Sequence, residues 1–560
     1  MVSVTYSTDG TTMQTYTYSA SSLDMDTDAL IDAAVYAKMQ PAYNLQTKIT
    51  TAETKITSYT EMQSLLTDLQ DAGDALRNSS AISDVDSNVF LARTAYLTSS
   101  DGVDAGNYLD VTVDADTETG NYSLIIDQVA EAHKISGGSV SDASADMGYT
   151  GAFTLGLEGG DSATVNVTSD MSLNEIAAAI NAGADTSGIK ASVVQVDSST
   201  YTMVLTAQDT GKEIETTSTS DTDIMNSLGF TDSSGDFSNV LNEAQDAIIE
   251  VDGLTITRDS NEIDDVLDGV TFNLYAATAG ATINVEVAEN ISDIKTAISD
   301  FVDAYNAFRE FVATNQATST DGSASSDAVL FGDYYLRSAN STMSSLLSTG
   351  HGGYSLRDFG ITLNSSNELE LDEDTLNEAL LNNLDGVQSF FAFEMTSSSD
   401  DLGIIASPLA SGDTTFTLDL TVDSNGDLST ASVGGDSSLF TVKGSRIVGA
   451  EGTIYEGMTL VYTGDTTQSI TVTLSQGMAD QLYHQMDNYA DSSDGSLADA
   501  ISTLDDQIDS WGDDIDNITT RAEKYRTTLE AKYTAMQTAY ETAQILLDQL
   551  EANANAANND

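Results

Sequence analysis

Near the end of the chain, Leu497, Ile501, Leu504, Ile508, Trp511, Ile515 and Ile518 follow one another at alternating spacings of four and three. That is a heptad seam, with Ile at the a positions. The seam continues through Ala522, Tyr525 and Leu529, slips by four to Tyr533, and resumes through Met536, Tyr540, Ala543, Leu547 and Leu550. A four-residue insertion of this kind locally unwinds a coiled coil without ending it. At about 1.5 Å per residue, a helix from Leu497 to Leu550 spans roughly 80 Å, more than a globular domain needs. Its stripe has to be buried against something.

The opposite end of the chain offers a partner. Asp24 to Gln40 reads as a short helix whose first turn carries Asp24, Asp26 and Asp28, which suit the positive end of the helix dipole. Pro41 then reads as the start of a second helix, where its missing N–H costs nothing. In that helix Leu45, Ile49, Ala52, Ile56, Tyr59, Met62, Leu66, Leu69 and Leu76 keep a three-four spacing with one slip. The expected fold class is α+β and multidomain. The N- and C-terminal helices pair in an antiparallel coiled coil or helical bundle, and β-rich domains are inserted between them.

Between the ends the period changes. Tyr108 to Asp114 alternates, turns at Glu118 to Asn121, and returns from Tyr122 to Asp127. A second β module has strands at 152–157, 163–167, 190–196 and 201–206. Its helix, Ser172 to Ala182, opens with a capping box of Ser172 and Glu175. The first module resumes at 247–256, 269–274 and 282–287. Helices return at 291–315, with Ile294, Ile298, Phe301, Tyr305, Phe308 and Val312 on one face, and again at 335–347 and 373–391. Gly/Ser/Asp-rich stretches near 137–150, 231–242, 316–327 and 396–401 read as loops or hinges.

The expected domains are therefore nested. Residues 1–22 form a disordered tail. Residues 23–58 with 520–560 form a terminal coiled-coil domain, and 59–99, 286–401 and 476–519 a helical bundle. A β-rich domain takes 100–150 and 243–285, a second takes 151–242, and 402–475 is a β-rich insertion.

Charge narrows the function. The chain has 19 basic and 89 acidic residues, a formal charge of −70. Such a surface excludes a nucleic-acid role and disfavours an anionic membrane. No run approaches the roughly 18 apolar residues of a membrane span, so no membrane insertion is expected. The chain has no Cys, hence no disulfide and no thiol chemistry. Its start lacks the basic and apolar regions of a conventional signal peptide. A composition suited to the outside of a cell, without that signal, points to a cytoplasmic protein or to export by a route that cleaves none.

Candidate chemistry is sparse. His133, His351 and His484 are scattered, with no second ligand at metal spacing. Asp24-x-Asp26-x-Asp28 and Asp423-x-Asn425-x-Asp427 resemble the start of a calcium loop. The first has Ala29 and Val35 where Gly and Glu belong, and the second has Leu428 and Gly434. Asp264/Asp265 and Asp505/Asp506 are pairs of the kind used in glycoside chemistry; among 89 carboxylates, solvated faces are the plainer reading. No phosphate-cradling loop or nucleophile elbow is present. No enzyme activity, cofactor or metal is expected. The residues alone describe an exported, self-assembling filament-type component. A surface adhesin, with acidic β domains on a helical stalk, and an acidic secreted hydrolase are the competing classes.

Several separated stretches resemble one family. Leu23-Asp-Met-Asp-Thr-Asp-Ala-Leu-Ile-Asp, followed by Pro41 and a helix ending Ala75-Leu-Arg, resembles the opening of the flagellar hook-associated protein 2 family, the filament cap proteins. Gly120-Asn-Tyr-Ser-Leu-Ile-Ile-Asp-Gln-Val-Ala is similar to another of its segments. Ile176-Ala-Ala-Ala-Ile-Asn with Gly188-Ile-Lys-Ala-Ser resembles the IN motif shared with some flagellins. Ala247 to Gly253, Ser260 to Leu274, Gly360 to Leu363, Leu369 to Leu376 and Arg521-Ala-Glu follow in the family's order.

The resemblance implies a homo-oligomeric cap ring at the filament tip, beneath which flagellin folds and inserts. It implies secretion through the flagellar type III export apparatus, a cytoplasmic export chaperone, and contact with flagellin and the hook-filament junction proteins. Carried onto this chain, the oligomer and flagellin contacts fall on Leu30, Leu45, Ile49 and Ile56 of the first helices. On the last helix they fall on Tyr525, Leu529, Tyr533, Met536, Tyr540, Leu547 and Leu550.

A charge of −70 repels itself, and salt screens it beyond about 8 Å at physiological strength. If the folded chain feels this repulsion, its thermal midpoint climbs as sodium chloride is added. A midpoint that stays flat across a salt series contradicts it and leaves lineage bias in composition as the explanation.

Overall fold

The first helix, α1, runs from Thr27 to Asp74 without a break in the computed structural model, which describes residues 26–77, 88–406 and 414–557. The expected tail over 1–22, and Asp24 of the expected first turn, lie outside the described residues. The expected helix start at Pro41 is corrected: Pro41 sits inside α1. Proline removes the bond to the Ala37 carbonyl and costs about 3 kcal/mol in a helix interior. The apolar stripe of the two flanks is continuous across it, burying Ile31, Ala42, Ile49, Ala52 and Tyr59 in turn, and that burial outweighs the loss.

Strands follow: β1 (Arg93–Ser99), β2 (Leu109–Val113) and β3 (Gly120–Gln128). The second module holds β4 (Lys134–Val140), β5 (Gly151–Leu157), β6 (Ser162–Val167), α2 (Leu173–Asn181), α3 (Ala184–Ser187), β7 (Ile189–Asp197), β8 (Thr200–Ala207), β9 (Ile214–Ser218), α4 (Ile224–Ser227) and β10 (Val240–Asn242). The chain returns through β11 (Ala247–Val251), β12 (Leu254–Arg258), β13 (Glu262–Leu267), β14 (Val270–Leu274) and β15 (Ile283–Glu289).

In the first module a five-stranded sheet, β1-β15-β3-β11-β12, and a three-stranded sheet, β13-β14-β2, enclose Leu109, Leu124, Ile126, Ile249, Phe272 and Val285. The expected hairpin of β2 with β3 does not form. β2 pairs with β14, setting Val111 against Phe272, while β3 lies between β15 and β11. Both strands alternate, so their period cannot choose a partner. The connection is pinned away from a tight turn by Asp114 N–H on the Gly269 carbonyl (2.8 Å) and Asp116 N–H on that of Leu91 (2.7 Å). The run 247–256 is likewise two strands. Asp252 and Gly253 both have positive φ (48° and 81°), the turn that lets β11 fold back on β12.

The second module packs sheets β10-β4-β8-β7 and β6-β5-β9 around Phe153, Ile176, Ile180, Leu205 and Phe230. The capping box forms as read, with Ser172 and Glu175 each bonding the other's backbone N–H. Asn181 at the end of α2 accepts from Ala191 N–H and donates to the Ala191 carbonyl, both at 2.8 Å. Its amide thus satisfies the outward backbone groups of β7, an edge strand.

Helices resume with α5 (Ile291–Gln316) and α6 (Tyr334–Ser348), then β16 (Ile361–Leu363), β17 (Leu369–Leu371), α7 (Glu373–Asn382) and α8 (Leu384–Phe391). The single helix expected over 373–391 breaks at Asn383, which leaves helical geometry (φ −152°, ψ 45°). Its side chain makes no capping bond there and instead accepts from the Tyr354 hydroxyl at 3.3 Å. A sandwich of two antiparallel sheets comes next, from β18 (Glu394–Ser397), β19 (Leu402–Ala406), β20 (Thr414–Val422), β21 (Leu428–Val433), β22 (Phe440–Lys443), β23 (Arg446–Gly449), β24 (Thr459–Tyr462) and β25 (Gln468–Ser475). The sheets run β18-β25-β20-β21 and β19-β24-β23-β22 over Leu418, Ile447, Leu460 and Val472. Asp423 to Asp427 is the β20–β21 turn, and the Asp423 carboxylate accepts from the Asn425 and Asp427 N–H groups. α9 (Met478–Ala490) and α10 (Ser496–Ala557) end the chain.

The fold is α+β, with ten helices and antiparallel sheets among the described residues. It divides into two compact units. One takes the described chain up to Asp68, with Ala307–Thr342 and the chain from Gln485; the other takes Leu69–Asn306 and Met343–His484.

Asn181→Ala is expected to cost the second module about 2 kcal/mol, because it leaves two backbone groups of an edge strand without their partner. Hydrogen exchange at Ala191 reads this directly; unchanged protection there contradicts the role given to Asn181.

Candidate assembly surface on the terminal helices

α1 and α10 are tied at points far apart in sequence. Arg526 donates to Asp32, Lys38 Nζ lies 5.5 Å over the Tyr525 ring, and Lys48 Nζ lies 5.6 Å over the Trp511 ring. Gln63 Nε2 donates to the carbonyl of Ala490, the last residue of α9, at 2.9 Å. Residue numbers rise along α1 as they fall along α10, so the two helices run antiparallel. Cations over aromatic faces contribute about 0.5–1 kcal/mol each at exposed sites.

One polar node clamps α1 from the other side. Asp333, in the loop before α6, takes Lys55 Nζ at 2.9 Å and the Tyr59 hydroxyl at 2.8 Å on one carboxylate oxygen. Its other oxygen accepts from Tyr335 N–H at 2.9 Å and so caps α6. Burial, the largest influence, pushes the Tyr59 phenol up to about 12. Burial would also raise Asp333 and lower Lys55. The hydrogen bonds between them outweigh it, holding Asp333 below the usual carboxylate range and Lys55 above the ordinary lysine value.

The residues expected to make assembly contacts divide into two groups. On α1, Ile49 is buried and Leu30, Leu45 and Ile56 are half-buried; Ile31, next to Leu30, takes the buried position of that turn. On α10, Leu529 and Tyr533 are half-buried, and Tyr525 lies at the margin beneath Lys38. Beyond Tyr533 the helix is bare among the described residues: Met536 is 43% exposed, Tyr540 42%, Leu547 59% and Leu550 68%. The register accounts for the change. Carried to its start, α1 places Thr27 opposite about Ala531, so α10 from Thr534 to Ala557 has no described residue of α1 beside it. That overhang is roughly 36 Å long.

A second face begins just before the overhang, runs along it, and shares only Ala543 with the heptad stripe. Ala531, Thr534, Ala535, Thr538, Ala539, Thr542, Ala543 and Leu546 line one shallow surface. It lies well round the helix from the stripe that faces α1. Thr538 and Thr542 donate to the carbonyls four residues back, at 2.9 and 2.7 Å, so their hydroxyls are spent on their own helix. The sequence signal was there as Ala and Thr recurring every four residues. Its side chains are small beside the large ones at three-four spacing.

Comparison with known proteins follows the same segments. The chain matches the model of the flagellar hook-associated protein 2 C-terminus over residues 244–544 and that of its N-terminus over 24–133. The chain belongs to the flagellar hook-associated protein 2 family. The flagellin hook IN motif matches residues 152–223, the stretch of the second β module that includes Asn181. A lateral flagellar hook-associated protein 2 of Vibrio parahaemolyticus is 29% identical over 300 residues, 51% of this chain and 66% of that protein, just under two thirds of its length. A B-type flagellar hook-associated protein 2 of Pseudomonas aeruginosa is 29% identical over 61% of this chain and 73% of its own. A crystal structure of the flagellar cap protein FliD from Escherichia coli is 25% identical, covering 60% of this chain and 90% of that one, with a TM-score of 0.46.

Asp333→Ala is expected to lower the stability of the unit containing α1 and α10 by about 2 kcal/mol at pH 7, through loss of the cap and of two partly buried bonds. Asp333 has a depressed folded-state value, so its contribution is whole above the unfolded value near pH 4 and fades as pH falls through the lower folded one. Urea unfolding followed by Trp511, the only tryptophan, reads this. The gap between variant and parent should close on acidification, and a gap that persists unchanged at pH 3 contradicts the assignment.

Proposed function

We propose that this chain is a structural cap at the distal tip of a bacterial flagellar filament, where it promotes folding and insertion of flagellin. The observation that carries the reading is the overhang of α10. A helix that leaves Met536, Tyr540, Leu547 and Leu550 bare in one run among the described residues forgoes about 1.5–3 kcal/mol per side chain until something covers them. Membership of the flagellar hook-associated protein 2 family supports the cap role.

In this reading the paired part of α1 and α10 is an antiparallel coiled coil. Leu30, Leu45, Ile49 and Ile56 pack against the α10 seam down to Leu529 and Tyr533. The stripe from Met536 to Leu550 meets flagellin or a neighbouring copy in a homo-oligomeric ring. The chain acts at the filament tip after secretion through the flagellar export apparatus, with a cytoplasmic chaperone on the same stripe before export. The hook-filament junction proteins are its neighbours when growth begins. It works by binding and ordering flagellin, without catalysis.

The double variant Tyr540→Gln, Leu547→Gln alters only exposed side chains, so the monomer should fold and unfold as the parent does. Expressed in a strain lacking the parent, it is expected to reach the medium in normal amount and to leave cells without filaments. Filaments of normal length contradict the proposal. Normal motility with lost attachment to surfaces would favour the adhesin reading instead.

A further inference from the structure

The chain crosses between the two β modules only twice, along residues 129–133 going out and 243–246 coming back. The crossings are laced together. Glu131 and Gln245 exchange backbone hydrogen bonds of 2.7 and 3.1 Å, and Gln245 Nε2 donates to the Val129 carbonyl at 2.9 Å. Asn242 Nδ2 donates to the Ala132 carbonyl at 3.0 Å. His133 stands at the end of this connector, only 2% exposed, with Phe237 packed edge to face against its ring.

Ile214 N–H donates to His133 Nδ1 at 2.8 Å. A backbone N–H can only donate, so Nδ1 carries no proton and the neutral ring holds its proton on Nε2. That Nε2 is buried and has no hydrogen-bond partner. Ile214 opens β9, and the residues just before it form a wedge onto the first module. Thr210 Oγ1 donates to the Asp259 carbonyl at 2.5 Å, Gly211 N–H to the Glu131 carbonyl at 3.1 Å, and Lys212 pairs with Asp259 at 3.3 Å. The bond to His133 fastens this wedge on the connector side, beside the Glu158 N–H on the Glu213 carbonyl (2.9 Å) and the pairing of Ile214 with Leu157.

We propose that His133 is an acid-sensitive lock on the connector between the two β modules. Neutral, it holds Ile214 and, through it, the loop 210–213 that is wedged against the first module. Protonated, Nδ1 becomes a donor and cannot accept the Ile214 N–H; the loop is released and the modules are free to change their relative orientation.

The charges around the ring set the direction. Burial is the largest influence and lowers the histidine value, while Glu213, from the loop before β9, and Glu243, from the return crossing, pull it upward without overcoming burial. Lys212 is engaged with Asp259, and Phe237 brings no charge. The locked state therefore binds the proton less tightly than the released one. The lock is intact above the free-histidine value near 6.5. Below it the released population rises about tenfold per pH unit, until the lower value of the locked state is reached.

Hydrogen exchange on the full-length chain, corrected for the intrinsic pH dependence of exchange, tests this. In the parent, protection of Ile214 and of residues 129–133 should fall several-fold between pH 7 and pH 5, while the Phe153–Leu205 core stays protected. His133→Asn places an oxygen where Nδ1 lies and accepts at every pH, so its protection should not change over that range. His133→Ala should be unprotected at both. Constant protection of the parent overturns the proposal by itself, whether or not the variants fold. An Asn variant that loosens with acid as the parent does also overturns it.

Discussion

With Arg526 on Asp32 and Lys48 over Trp511, α1 and α10 can lie side by side only in opposite directions. That register, with α10 the longer helix, leaves α10 overhanging the start of α1 by about seven turns. Two consequences follow from this one register. The ends of the chain are held together, so every β module is an insertion between two helices and not a bead on a string. And the apolar stripe of α10, continuous in sequence, is divided into a part that is covered and a part that is bare among the described residues. The same residue types serve intrachain packing above Tyr533 and leave an open surface below it.

Charge shapes how this is held. In a chain with 89 carboxylates and 19 basic residues, cations are scarce, and the structure uses them where elements distant in sequence meet. Lys55 reaches Asp333, Arg526 reaches Asp32, and Lys38 and Lys48 lie on α10 aromatics. Arg77, just past α1, lies 3.7 Å from the Tyr483 ring of α9 and near the buried Asp480. Lys295 of α5 meets Glu373 of α7 at 2.8 Å. An acidic surface repels non-specific company, and few staples suffice because each sits at a crossing. The overhang carries three acidic residues and no basic one, so its binding strength has to come from apolar area.

What could be read from the sequence was what depends on local spacing. The α10 seam follows from side-chain period alone, and the Ser172–Glu175 box from two residues at the right interval. Where partners are chosen over long distances, the sequence was ambiguous. The alternation of β2 fits any neighbour, and only the crossing near Gly269 assigns it to β14. Pro41 was misread because its cost is local while the burial that repays it extends along both flanks. Asp252-Gly253 was legible as a hairpin turn and was passed over inside an apolar run. On the candidate surface, the heptad positions from Met536 onward were legible as a stripe. That nothing of α1 covers them depends on the register, which no single helix reveals, and the Ala/Thr face was hidden by the smallness of its side chains.

The central claim is that bare helix ends on this chain cap a growing filament, and electron microscopy of cells lacking the chain tests it most directly. The account expects cells without filaments and flagellin left unpolymerised in the medium, both reversed when the intact chain is restored. Filaments of ordinary length on cells that lack it would contradict the account.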